Sequence, residues 1–165
     1  MRYALPLCLA LAAPAAADVT ATFTEGAPKD AFSFVASNGC LSGPVTIELD
    51  LTGSPAGLIF DVSDQGDGVE VFQPFELVSG HTLVVQASPV ADGDTSLTLG
   101  LRALPEGQSV RFTIDLDDTI GAREITVSRS EIVGATVAVE ANGVRQVAAF
   151  GPDAKAVVPT ADCQS

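Results

Sequence analysis

The run Ser109-Val110-Arg111-Phe112-Thr113-Ile114-Asp115-Leu116-Asp117-Asp118 alternates apolar and polar side chains from Val110 to Asp117. A period of two puts Val110, Phe112, Ile114 and Leu116 on one face and Arg111, Thr113 and Asp115 on the other. That is a strand with one face buried and one in water, the pattern of antiparallel sheets. Working outward, Val45, Ile47, Leu49 and Leu51 alternate with Thr46, Glu48 and Asp50, and Leu97, Leu99 and Leu101 alternate with Thr98 and Gly100. Further strands are expected at 19–23, 31–35, 58–62, 69–72, 82–87, 125–127 and 135–139. No segment carries a sustained stripe of period 3.6, so helix is not expected beyond the N-terminal leader.

Turn residues punctuate these runs. Asn142-Gly143 lies between Ala135–Glu140 and Val144–Phe150, and both residues accept positive φ, which predicts a two-residue hairpin. Asp92-Gly93-Asp94 and Pro105-Glu106-Gly107 bracket the Leu97–Leu101 strand, and Asp64-Gln65-Gly66-Asp67-Gly68 reads as an acidic loop. About ten short strands at this spacing predict an all-β, antiparallel β-sandwich of Greek-key or jelly-roll type. The stretch from Pro152 to Ser165 reads as loop.

The first residues have the order of an export signal. Arg2 supplies positive charge, Leu5 to Ala13 form a short apolar stretch, and Ala15 and Ala17 are the small residues a signal peptidase needs. Residues 1–17 are therefore expected to be removed between Ala17 and Asp18, leaving 18–165 as a single domain. The apolar stretch is too short to span a bilayer about 30 Å thick, and Cys8 lies inside it rather than at a lipidation site. A secreted or periplasmic destination follows. With 21 Asp and Glu against 8 Lys and Arg, the net charge is −13, and loss of Arg2 makes it more negative. Such a chain repels nucleic acid and anionic lipid, so neither is expected as a partner.

Cys8 leaves with the signal, which pairs Cys40 with Cys163 in an oxidising compartment. A bridge would close roughly 120 residues, a constraint of ~4–5 kcal/mol in chain-entropy terms. The alternative, a redox or metal pair, has no CxxC and only one histidine to draw on.

No catalytic constellation stands out. His81 is the only histidine and sits between Gly80 and Thr82, the setting of an exposed turn residue. It has Ser79 nearby but no nucleophile elbow. The phenylalanines read as core. Two carboxylate groups remain: Asp61, Asp64, Asp67 and Glu70, and Asp115, Asp117 and Asp118. The ordinary reading is solvated acids and turn formers. The chemical reading is calcium held by Asp61, Asp115, Asp117 and Asp118, since calcium takes clustered carboxylate and carbonyl oxygens.

Gly57-Leu58-Ile59-Phe60-Asp61, Gly68-Val69-Glu70-Val71-Phe72, Leu97–Leu101, Leu104-Pro105-Glu106-Gly107, Ser109–Asp118 and Gly134–Val139 follow one another in an order that resembles small exported bacterial proteins of the "aggregation factor core" type. These in turn resemble a domain of sponge aggregation factors. The resemblance covers half to two-thirds of residues 18–165 and implies a β-sandwich with an extracellular role in adhesion or matrix, linked to calcium and carbohydrate. The expectation is thus a non-enzymatic exported module that meets a protein or polysaccharide at a cell surface. A periplasmic structural protein defined by its partner, or a small hydrolase using the acidic groups or His81, are the alternative readings.

Overall fold

The computed structural model describes residues 17–37, 41–65, 72–120 and 126–160. The expected signal segment up to residue 16, Cys40, Cys163, Asp67, Glu70 and most of the strand expected at 69–72 lie outside the described residues, as does Ile125.

Twelve strands and no helix occur among the described residues. In chain order they are β1 (Ala17–Thr24), β2 (Asp30–Ala36), β3 (Val45–Asp50), β4 (Leu58–Phe60), β5 (Glu76–Ser79), β6 (Val84–Ala87), β7 (Ser96–Leu101), β8 (Ser109–Ile114), β9 (Leu116–Asp118), β10 (Thr136–Ala141), β11 (Val144–Ala149) and β12 (Lys155–Thr160). One sheet has the order β12-β1-β2-β8-β5, the second β11-β10-β3-β7-β6, and a two-stranded sheet pairs β4 with β9. All pairs are antiparallel. The two large sheets pack face to face as the expected sandwich, and the chain crosses between them directly at β2–β3, β5–β6, β7–β8 and β11–β12, and by way of the small sheet through β4 and through β9.

Register shows why alternation decides this fold. Ile47 stands opposite Leu99 on one side and Val139 on the other, and Leu49 opposite Leu97 and Val137. In the facing sheet Phe32 stands opposite Phe112, and Phe34 opposite Val110. All of these side chains are buried. A slip of one residue would turn each row into water, so the apolar rows and the register specify one another. Phe32 joins the two sheets, with ring centroids 5.3 Å from Phe23, 5.4 Å from Phe112 and 6.2 Å from Phe150.

Asn142 (φ 53°) and Gly143 (φ 76°) form the expected hairpin turn between β10 and β11. A second use of glycine is structural contact. A Cβ on Gly53 would lie 2.1 Å from the Gly134 carbonyl oxygen, and one on Gly134 would lie 2.5 Å from that of Gly53. The two backbones meet where no side chain fits.

Four expectations change. The segment after Pro152 is not all loop: Ala156 and Val158 turn inward, and residues 155–160 pair with β1 as an edge strand. Pro159 disguised it, yet proline is compatible with an edge. The strand expected at 58–62 ends at Phe60, and Val127 is buried outside any strand. The run from Val110 to Asp118 is also not one strand. It breaks at Asp115, where the chain leaves the large sheet as β8 and enters the small one as β9, so Asp115, Asp117 and Asp118 are buried instead of solvated.

Candidate functional site

The strand switch at Asp115 organises one end of the sandwich. Its amide donates to the Gln73 carbonyl at 3.1 Å, the Gln73 amide donates to the Asp61 carbonyl at 3.2 Å, and the Asp61 amide donates to the Asp115 carbonyl at 3.1 Å. Three segments distant in sequence thus close a ring of backbone hydrogen bonds. Asp61 (1% exposed), Asp115, Asp117 and Asp118 are all buried here, and Asp30 joins them at the start of β2 opposite Ile114. Asp117 and Asp118 stand opposite Ile59 and Leu58 in the small sheet.

Burial sets the chemistry of two of these acids. Asp30 is pushed up to about 8, first by loss of water and then by the charges of Asp115 and Glu25. The Gly26 amide, donating to Asp30 Oδ1 at 3.0 Å, and the Leu116 amide pull the other way without compensating. Asp115 is pushed up to about 7 by burial, then by Asp117 and Asp61, against one hydrogen bond from the Leu116 amide. Like charges in a poorly solvated place favour the protonated form. Asp30 is therefore largely neutral at pH 7, and Asp115 about half so. Asp61, Asp115 and Asp117 are brought into one electrostatic neighbourhood. Even so, no group of three or more His, Cys, Asp or Glu side chains that could hold a metal ion occurs among the described residues. Asp30 and Asp115 accommodate their burial by favouring the protonated form.

Next to this patch, Asp92 pins the chain after Asp61. Its Oδ1 accepts from the amides of Val62 (2.7 Å) and Ser63 (2.8 Å), and its Oδ2 accepts from the Ser63 hydroxyl. Burial pushes Asp92 up, but these bonds and the Gln65 amide outweigh it and hold the carboxyl below its ordinary range. The pinned segment forms one wall of an open cleft of about 580 Å³. Pro74 and Phe75 form a second wall, and Ser88, Pro89 and Val90 a third. Phe75 is only half-buried, and its ring is backed by Phe112 at 5.0 Å. A flat apolar surface thus sits beside Ser63, Gln65 and Asp92.

From the sequence Phe75 reads as core and Asp30 does not stand out. The signal for Phe75 was its flank, since Pro74 keeps it off the middle of a strand. Asp30 carried no signal, because nothing local tells a buried strand-initial aspartate from an exposed one. His81 is exposed in the turn between Gly80 and Leu83, and Asp64 is exposed.

Comparison of the chain with protein-family models, with curated proteins and with solved structures finds no match in any of the three.

Proposed function

We propose that this chain is an exported, non-enzymatic β-sandwich module that binds a protein or polysaccharide at a cell surface or in the extracellular matrix. The observation that carries the reading is the cleft at the strand-switch end. A partly buried phenylalanine ring braced from behind, with hydroxyl, amide and carboxylate groups around it, suits an apolar ring face that bears polar edges. A sugar ring or a proline-containing peptide segment has that chemistry. The acids beside the cleft hold the fold, and metal ligation has no part in the proposal.

The test is retention of the purified chain on intact cells and on isolated envelope polysaccharide, against Phe75→Ser and Gln65→Ala. Binding that falls at least about tenfold in Phe75→Ser, with the fold kept, supports the cleft as the contact. Binding equal to wild type in both variants removes the cleft from the account. No retention on any cell or polysaccharide removes the function.

A further inference from the structure

We propose that β11 is the edge at which a second copy of this chain adds, antiparallel, across a twofold axis at Val147. Edge strands invite pairing unless something blunts them, and the other five edges of the three sheets are blunted. Strands β5 and β6 have four residues each and a register shift apiece, between Leu77 and Ser79 and between Val84 and Gln86. Strands β4 and β9 have three residues each. Strand β12 carries Lys155 and Pro159. Strand β11 has six residues and an unbroken register, with no proline, lysine or acid. Its one charge, Arg145, is already matched by Glu48 at 3.0 Å. Val144 (42%) and Val147 (53%) are exposed along it.

The tight turn fixes which backbone groups are free. A two-residue hairpin makes Ala141 and Val144 a hydrogen-bonded pair, so Val144, Gln146 and Ala148 bond to β10. The same parity continues at Phe150, whose amide donates to Ala135 at 2.8 Å. Arg145, Val147 and Ala149 therefore point their amides and carbonyls away from the sheet. No other backbone hydrogen bond among the described residues takes them up; β12 runs close beside β11 but is not paired with it.

The strand is complementary to itself. Keeping its solvent face outward requires these three residues to pair among themselves. With Val147 opposite Val147 of the second copy, Arg145 falls opposite Ala149, and every free group finds a partner. The two guanidiniums then sit at opposite ends. An axis at Arg145 would set like charges face to face, which is unfavourable, and an axis at Gln146 leaves Ala149 without a strand residue opposite. The rest of the chain is strongly acidic, so added salt tightens this contact by screening the repulsion between copies.

Sedimentation of the purified full chain from about 1 to about 500 µM tests this, because mass action makes self-association concentration-dependent. The expected result is a species of twice the chain mass. Val147→Pro removes only an amide that β10 does not use, and Val147→Lys places two ammonium groups on the axis. Each variant is expected to weaken the dimer at least about tenfold. Val85→Lys, on β6, leaves it unchanged. Melting curves of the variants establish that they are folded, and the lysine variant decides the matter if the proline one is not. Wild type that stays monomeric throughout overturns the proposal, as does a dimer that folded Val147→Lys does not weaken. A monomer that still binds cells would leave the functional reading standing.

Discussion

The Asp61 amide donates to the Asp115 carbonyl at 3.1 Å, and the same contact keeps two buried carboxyl groups within each other's field. Backbone attraction and side-chain repulsion act on the same pair of residues. The fold holds them together because the proton, rather than distance, relieves the repulsion.

Stability should therefore fall as pH rises. Asp30 moves from an ordinary 3.8 to about 8, and Asp115 from 3.8 to about 7. Between those limits the folded state binds more protons than the unfolded one. The contribution is complete below about pH 4 and is lost as pH climbs through 7 and 8. Urea titrations at pH 5 and pH 8.5 should show a lower midpoint at the higher pH. Asp30→Asn keeps an acceptor for the Gly26 amide and should narrow that gap by about 1 kcal/mol or more. An unchanged gap would mean that Asp30 ionises normally in the fold.

Asp92 has the opposite sign. Its carboxyl is held low, so its stabilisation is present above the ordinary carboxylate range and is lost as pH falls through the lowered value. Asp92→Ala should cost about 1–3 kcal/mol by freeing two amides and a hydroxyl. The loss should be local: hydrogen exchange at Val62 and Ser63 should speed up, while exchange in β3 and β7 stays slow.

Gly53→Ala and Gly134→Ala should each destabilise by more than about 1 kcal/mol, because each Cβ would run into the other glycine's carbonyl. Gly134 also holds a φ of 92°. Gly43, whose Cβ would meet nothing within 4 Å, is the control. Thermal melting of Gly43→Ala should match wild type.

Phe112→Ala should cost about 3–5 kcal/mol, since it touches Phe32, Phe34 and Phe75. Phe75→Ala should cost less, because that ring is only partly buried. Chemical denaturation of both variants separates a core ring from a cleft ring. Equal losses would return Phe75 to the core.

Much of the sandwich is legible in the chain because its central strands are buried on one side only. Ile47, Leu99 and Phe112 each announce their face through polar neighbours, and Asn142-Gly143 fixes a turn by backbone preference alone. Legibility fails where tertiary context overrides period two. Asp115 keeps the polar parity of its strand, yet the chain changes sheets there and buries it. Residues 155–160 look like a tail because only Ala156 and Val158 face inward, and their partners lie at the other end of the sequence. The expected acidic neighbours Asp61, Asp115 and Asp117 do meet, but as buried groups, with Asp61 and Asp115 joined through their backbones and Asp115 inclined to hold a proton. Asp30, which joins them from β2, is invisible until the sheets are assembled.

The pairing of β1 with β12 sets Ala17 opposite Thr160. Nearly the whole described chain lies inside the circuit that this ladder closes. While the chain is being made, β1 can find β2 almost at once, but its other side stays open until residues 155–160 exist. Contacts of such long sequence separation form late and slowly. Completion of the sandwich thus waits for residues 155–160. Until then one side of β1 keeps its backbone groups without the ladder that residues 155–160 supply.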